Sequence, residues 1–342
     1  VQKIPYFENI VPGLAGNYSV LGSTQALTAT QAAYRRIALG SVGGRNTTDY
    51  TFVQLLWDDG LGYGNNLFFH PQYAALSVWS TLGTSDYHSG QFSLRKRFSQ
   101  GVSFDLNYTF GHSLDTASGL QSGGTYGAPF ILNPLNLDVN RGSSDFDVRH
   151  IVNANYLVAL PFGKGKSFMN KLPKLADLFI GGWETTGIFR WNSGEPIGEP
   201  FDDSRWATNW NVQSNAVALT PVSTSPTRTG DPNLFSNPAA AFAQYRNAMP
   251  GEFGDRNLLN APGYVSLDAG LYKSFKLPWE GVQVKFRWEV FNVTNTQHFT
   301  GISNFGIPQD PNLGAALPSD WGKFTSIQGS PRIMQFALRI EF

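Results

Sequence analysis

The run Phe162 to Ser167, FGKGKS, is the first place in this 342-residue chain to look for chemistry, since glycines ahead of a lysine and a serine can cradle a phosphate. The full pattern G-x-x-x-x-G-K-[ST] needs a glycine at position 160, where Leu160 stands, so the run reads as a flexible basic turn. The histidines His70, His88, His112, His150 and His298 are widely separated, without an HExxH spacing, and read as lone structural or surface side chains. Asp58-Asp59 and Asp202-Asp203 could bind a cation weakly, although solvated loop charges are the plainer reading. Serine, histidine and aspartate are scattered with no G-x-S-x-G elbow, and the absence of cysteine removes disulfides, thiolate metal sites and thiol nucleophiles. The expectation is a protein that is not an enzyme and uses no cofactor or metal.

Recognition is the chemistry left to the side chains. Trp206, Trp210, Phe235 and Trp321 are large amphipathic residues in polar surroundings, the type enriched at binding hot spots. Two readings stay open for them: contacts to a ligand, or small cores of the loops that carry them.

The elements that must position these loops have period two. In the last twelve residues, Met334, Phe336, Leu338, Ile340 and Phe342 share one face, with Gln335, Ala337, Arg339 and Glu341 on the other. The same alternation places Phe92, Leu94 and Phe98 before a Ser99-Gln100-Gly101 turn, and Val102, Phe104, Leu106, Tyr108 and Phe110 after it. A second pair carries Val148, Val152, Ala154, Tyr156, Val158 and Leu160, then Trp183, Phe189 and Trp191. A third carries Val265, Leu267, Ala269, Leu271 and Phe275, then Val282, Val284, Phe286, Trp288 and Val290. On the opposite face stand Arg95, Arg97, Asp105, Arg287 and Glu289, charges suited to a watery or plugged lumen.

The connections alternate as well. Short or medium turns near 100, 170 and 279 are expected to alternate with long loops near 130, 230 and 310, as in outer-membrane barrels with short periplasmic turns and long external loops. Trp183, Trp191, Trp279, Tyr108, Phe98, Phe275 and Phe342 near strand ends suit interfacial aromatic belts. Aromatics at 14% with charged residues at only 15%, against a usual quarter, suit a nonaqueous neighbour. Lysine plus arginine equals aspartate plus glutamate at 25 each, which gives no pull toward nucleic acid. A mean hydropathy of -0.22 and the lack of an eighteen-residue apolar run exclude a membrane-spanning helix and leave a barrel possible. A water-soluble β-sandwich is the rival; it would bury the apolar rows between sheets.

The expected fold is therefore all-β: an antiparallel transmembrane β-barrel, partial, with about eight to ten strands of a larger barrel and long extracellular loops. Residues 1–70 are expected to form a loop region with a short helix near Ser23 to Leu39 and a possible strand at Asp49 to Trp57, and residues 71–342 the carboxyl-terminal barrel portion. With no basic or apolar leader at Val1, a mature form or a fragment is expected.

Five segments carry a family resemblance: LRKRFSQGVSFDLNYTFGHSLD (Leu94 to Asp115), SDFDVRHIVNANYLVALPFGKGK (Ser144 to Lys166), GGWETTGIFRWNSGEP (Gly181 to Pro196), FRWEVFNVTNTQHF (Phe286 to Phe299) and the terminal FALRIEF. Together they resemble the carboxyl-terminal part of TonB-dependent outer-membrane receptors, nearest to the Oar-like branch with a carboxypeptidase-regulatory-like domain. The resemblance covers most of the chain from about residue 70. It implies a 22-stranded barrel, an internal plug and a motif that engages TonB, none of which is recognisable here beyond the barrel strands. The implied partners are outer-membrane lipid, the remainder of the barrel and plug, TonB through that plug, and a large ligand such as a siderophore, glycan or peptide; no nucleic acid is expected. The implied location is the bacterial outer membrane. A surface adhesion or structural protein, and a small self-contained barrel, are the alternatives.

Overall fold

A computed structural model describes residues 81–119, 136–198, 200–202, 214–246, 254–277, 281–303, 305–307 and 316–342. The expected helix within 1–70 and the possible strand at Asp49 to Trp57 lie outside them.

Seven long strands form the main sheet: β1 (Ser85–Ser99), β2 (Val102–Asp115), β3 (His150–Ala159), β4 (Trp183–Asn192), β5 (Tyr264–Lys276), β6 (Gln283–Phe291) and β7 (Ile333–Glu341). Each pairs antiparallel with its chain neighbour, and the two-residue strand Gly142–Ser143 extends the sheet beside the end of β2. This up-and-down meander is the simplest outcome of sequential hairpins, since consecutive elements joined by short links fold beside one another. Gln100 and Gly101, both at positive φ, make the two-residue turn between β1 and β2. Short and long connections alternate along the sheet as the sequence implied. The sheet is open, with β1 and β7 at its edges.

The register carries single rows of like residues across the sheet. Val102, Val158, Thr185, Leu271, Trp288 and Phe336 are successive partners on the apolar face. Ser93, Asn107, Asn153, Arg190 and Ser266 are successive partners on the polar face. A one-residue slip anywhere would exchange the faces, so the pattern itself specifies the pairing. The aromatic side chains also fit their neighbours: the Trp288 and Phe336 rings stack with centroids 5.8 Å apart, and the Tyr156 ring lies against Gly187, where a Cβ would collide with it.

No second sheet covers the apolar face among the described residues. Phe92, Leu94 and Phe98 on β1, and Phe336, Leu338 and Ile340 on β7, all stand open, with Leu338 71% exposed. A sandwich would have buried these rows between its sheets. An uncovered apolar sheet face of this extent needs a lipid neighbour.

Two lysines interrupt the apolar face, which the sequence reading passed over. Lys96 lies opposite Phe104, and Lys273 lies opposite Trp183 and Phe286, all near the end that carries the short connections. No helix of the described residues is long and apolar enough to cross a membrane. The buried core of the chain lies in the loops at the opposite end from the short turns.

Candidate functional site

The two long connections after β4 and β6 fold onto each other at the outer end of the sheet. Their shared core is Ala216, Leu234, Phe235, Phe242, Tyr245, Leu259, Ile307 and Trp321. Trp321 is its centre: Phe235 stacks on it at 5.3 Å and 14°, and Phe242 meets it edge-on at 5.3 Å and 75°. The indole Nε1–H donates to the Gly306 carbonyl at 3.0 Å, so the ring buries no unpaired donor. Asn233 ties the two connections by donating from Nδ2 to the Trp321 carbonyl, while its Oδ1 accepts from the Phe235 N–H. Asn237 caps the short helix Pro238–Phe242 by accepting from the Ala240 N–H, with proline in the position where a missing donor costs nothing.

A polar clamp ties this loop layer to the open end of the β1–β2 hairpin, where Asp115 pairs with Ser85. Arg256 Nη1 lies 2.7 Å from Asp115 Oδ1 and donates to the carbonyls of Asp115 and Asn140 at 2.9 and 3.1 Å. Its Nη2 donates to Ser118 Oγ at 2.6 Å and faces Asp145 Oδ1 at 3.4 Å. Asn257 donates from Nδ2 to the Ser143 carbonyl and to Asp145 Oδ1, both at 2.6 Å. Asp115 sits above the membrane-spanning row, which ends at Phe110 on β2, and its side chain is 2% exposed. Burial works against its charge, but hydrogen bonds from Ser144, Ser118 and Arg256 and the guanidinium charge prevail, so its carboxyl titrates below its ordinary range.

A second cluster lies beside the clamp. His112 Nδ1 is 2.8 Å from Asp147 Oδ2, and Arg149 Nη2 is 3.1 Å from His112 Nε2. A guanidinium can only donate, so Nε2 accepts and Nδ1 carries the proton toward Asp147. His88 stands opposite His112 in the β1–β2 register, a juxtaposition the linear spacing of histidines concealed. Both nitrogens of His112 are taken by Asp147 and Arg149, and no metal-binding group of three or more ligands occurs among the described residues.

The polar face of the sheet carries the charges singled out in the sequence. Arg95 Nε lies 3.6 Å from Asp105 Oδ2 across β1 and β2, and Asn107 links Asp105 to Ser93. Glu289 gathers three donors: Tyr272 Oη at 2.9 Å, Arg287 Nη2 at 2.5 Å and Gln335 Nε2 at 2.5 Å. The Arg287 guanidinium also lies over the Tyr272 ring, 5.4 Å from its centroid. Arg97 is exposed and falls at the irregularity between Lys96 and Ser99, where the β1–β2 register gives it no partner. The structure therefore brings Arg95 and Asp105 together, and Arg287 and Glu289 together, as two separate groups.

The loop aromatics divide differently. Phe235 and Trp321 are 2% and 1% exposed, so they serve the loop core and offer no ring face to a ligand. Trp206 and Trp210 lie outside the described residues, as do His70, Asp58, Asp59, Asp203 and Trp279. Sequence reasoning missed Asp115, Ser144, Arg256 and Asn257. Their partners lie as far as 141 residues apart, and no local pattern marks such pairs.

These features define a membrane-facing antiparallel sheet with a polar inner face and an ordered loop layer over one end. The outer membrane beta barrel domain family matches residues 30–335, and the chain belongs to that family. It is an outer-membrane protein of bacteria. No curated protein and no solved structure matches the chain.

Proposed function

We propose that this chain is the carboxyl-terminal barrel portion of a TonB-dependent receptor that takes up a large ligand such as a siderophore, glycan or peptide. The observation that carries the reading is the ordered loop layer over a polar-faced sheet, held by the Arg256 clamp and the Trp321 core. The five motif segments resembling such receptors support it. In this reading the loop layer contacts ligand outside. The polar face, with its Arg95–Asp105 and Arg287–Glu289 groups, lines the path and meets a plug supplied by the rest of the receptor. TonB acts through that plug, outer-membrane lipid surrounds the sheet, and the chain performs no bond chemistry of its own.

The test is a deletion of the whole reading frame. Loss of growth on one nutrient class, restored by the intact gene and dependent on TonB and the proton-motive force, is the expected result. Normal nutrient uptake with lost surface attachment would replace this reading with an adhesion or structural protein.

A further inference from the structure

The β3–β4 connection does not behave as a barrel turn. Two residues suffice to join β1 and β2, yet the chain from Leu160 to Gly182 joins β3 and β4 at the same end of the sheet. It is ordered by its own contacts. Phe168 N–H donates to the Pro161 carbonyl, the Phe162 and Phe168 rings lie 5.8 Å apart, and the helix Lys174–Ile180 follows.

Its surface is apolar and basic at once. Phe168, Met169, Leu175, Leu178 and Phe179 are exposed, Leu175 at 77% and Phe179 at 68%. None of the helix residues is buried. Four lysines, Lys164, Lys166, Lys171 and Lys174, accompany them, against the single acid Asp177. Asp177 is turned inward: its Oδ1 accepts from the Lys164 backbone N–H at 2.6 Å.

The position of this connection decides what it meets. Trp183 Nε1 donates to the Phe179 carbonyl at 2.8 Å, and Lys273 Nζ donates to the Gly181 carbonyl. Trp183 and Lys273 are register partners on the apolar face, so the helix sits beside the lipid-facing side of the sheet and outside the lumen. Lys96 lies on the same face near the same end. Basic side chains beside exposed aromatic and aliphatic ones, continuous with a lipid-facing row, have the chemistry of a membrane interface.

We propose that residues 160–182 form an interfacial foot on the inner leaflet of the outer membrane. Its apolar side chains enter the headgroup boundary, and its lysines gather the phosphates of anionic phospholipids. The inference rests on the barrel assignment alone and is independent of transport. Charge complementarity and continuity with the lipid-facing surface select phospholipid as the occupant; a polar periplasmic partner would leave Leu175 and Phe179 in water.

The chain lacks cysteine, so Leu178→Cys in the full-length protein gives one labelling site within this chain for a polarity-sensitive dye. The expected result in phosphatidylglycerol nanodiscs is a blue-shifted dye, quenched by lipids brominated near the glycerol backbone. Native mass spectrometry should show retained phosphatidylglycerol in preference to phosphatidylcholine. Replacing Lys164, Lys166, Lys171 and Lys174 by Gln should weaken that preference about tenfold or more, while Arg at the same positions keeps it. Heat-modifiable gel mobility checks that each variant is a folded barrel. A dye reporting water in phosphatidylglycerol discs, or equal phosphatidylglycerol retention by the Gln variant, would overturn the proposal. Normal nutrient uptake after deletion of the gene, with the lipid contact of the foot still observed in the parent protein, would fail the transport reading and leave this one standing.

Discussion

Arg256 is the side chain on which the loop layer depends most directly. Its guanidinium joins Asp115, Ser118, Asn140 and Asp145, so truncation leaves a buried carboxylate without its counter-charge. Breaking a buried pair from one side costs about 3 to 5 kcal/mol. Arg256→Ala should therefore make residues 193–263 sensitive to limited proteolysis while heat-modifiable mobility of the barrel persists; protease resistance equal to the parent would refute the clamp. The Asp115 carboxyl gives this clamp a pH dependence. Because its folded-state pKa is lowered, its contribution is complete above the unfolded-state value and is lost as pH falls through the folded one. The same proteolysis should show the layer loosening below about pH 4 in the parent, and Asp115→Asn should flatten that response. Trp321→Ala should act on the other half of the layer. It empties the space among Phe235, Phe242 and Tyr245 at a cost of about 3 to 5 kcal/mol, read as early cleavage near residues 230–245 with the strands unaffected.

At the scale of elements, the strands were legible and the loops were not. Period-two alternation in Val102 to Phe110 or Gln283 to Val290 survives any tertiary context, because the two faces of a strand meet different surroundings. The loop core has no such signal. Trp321 meets Phe235 across a sequence gap that holds two strands of the main sheet and several short loop strands, and from sequence it could equally have faced solvent. The helix Lys174–Ile180 left only a weak mark, Leu175 followed by Leu178 and Phe179, and was read as part of a turn. Lys96 and Lys273 were passed over because a lysine in an apolar row breaks the alternation, although its long stem allows it to stay there beside an interface. The lipid-facing row itself can be tested directly. Leu267→Arg and Val284→Arg each put a charge on that face at about 2 to 4 kcal/mol near the midplane, and both should block membrane assembly. Normal heat-modifiable barrel from both variants would refute the assigned faces.

For the whole molecule, the assembly signal and the closure of the sheet are the open tests. Deleting Phe342, fully exposed at the end of the apolar row of β7, should lower the amount of inserted barrel; unchanged levels would remove it as a signal. Closure follows from the direction of the edge strands. Seven strands in strict alternation leave β1 and β7 pointing the same way, both descending from the loop end to the short-turn end. Joining those two edges would make one parallel pair, and bacterial single-chain barrels contain an even number of strands, all antiparallel. In lipid neither edge can remain open, because its amides and carbonyls would have no water to bind. The strands that complete the ring must therefore number an odd count, whichever polypeptide segment supplies them. The strand docking on β1 must rise where β1 descends, and a disulfide engineered from Gln91 to its upward neighbour would trap that one direction alone.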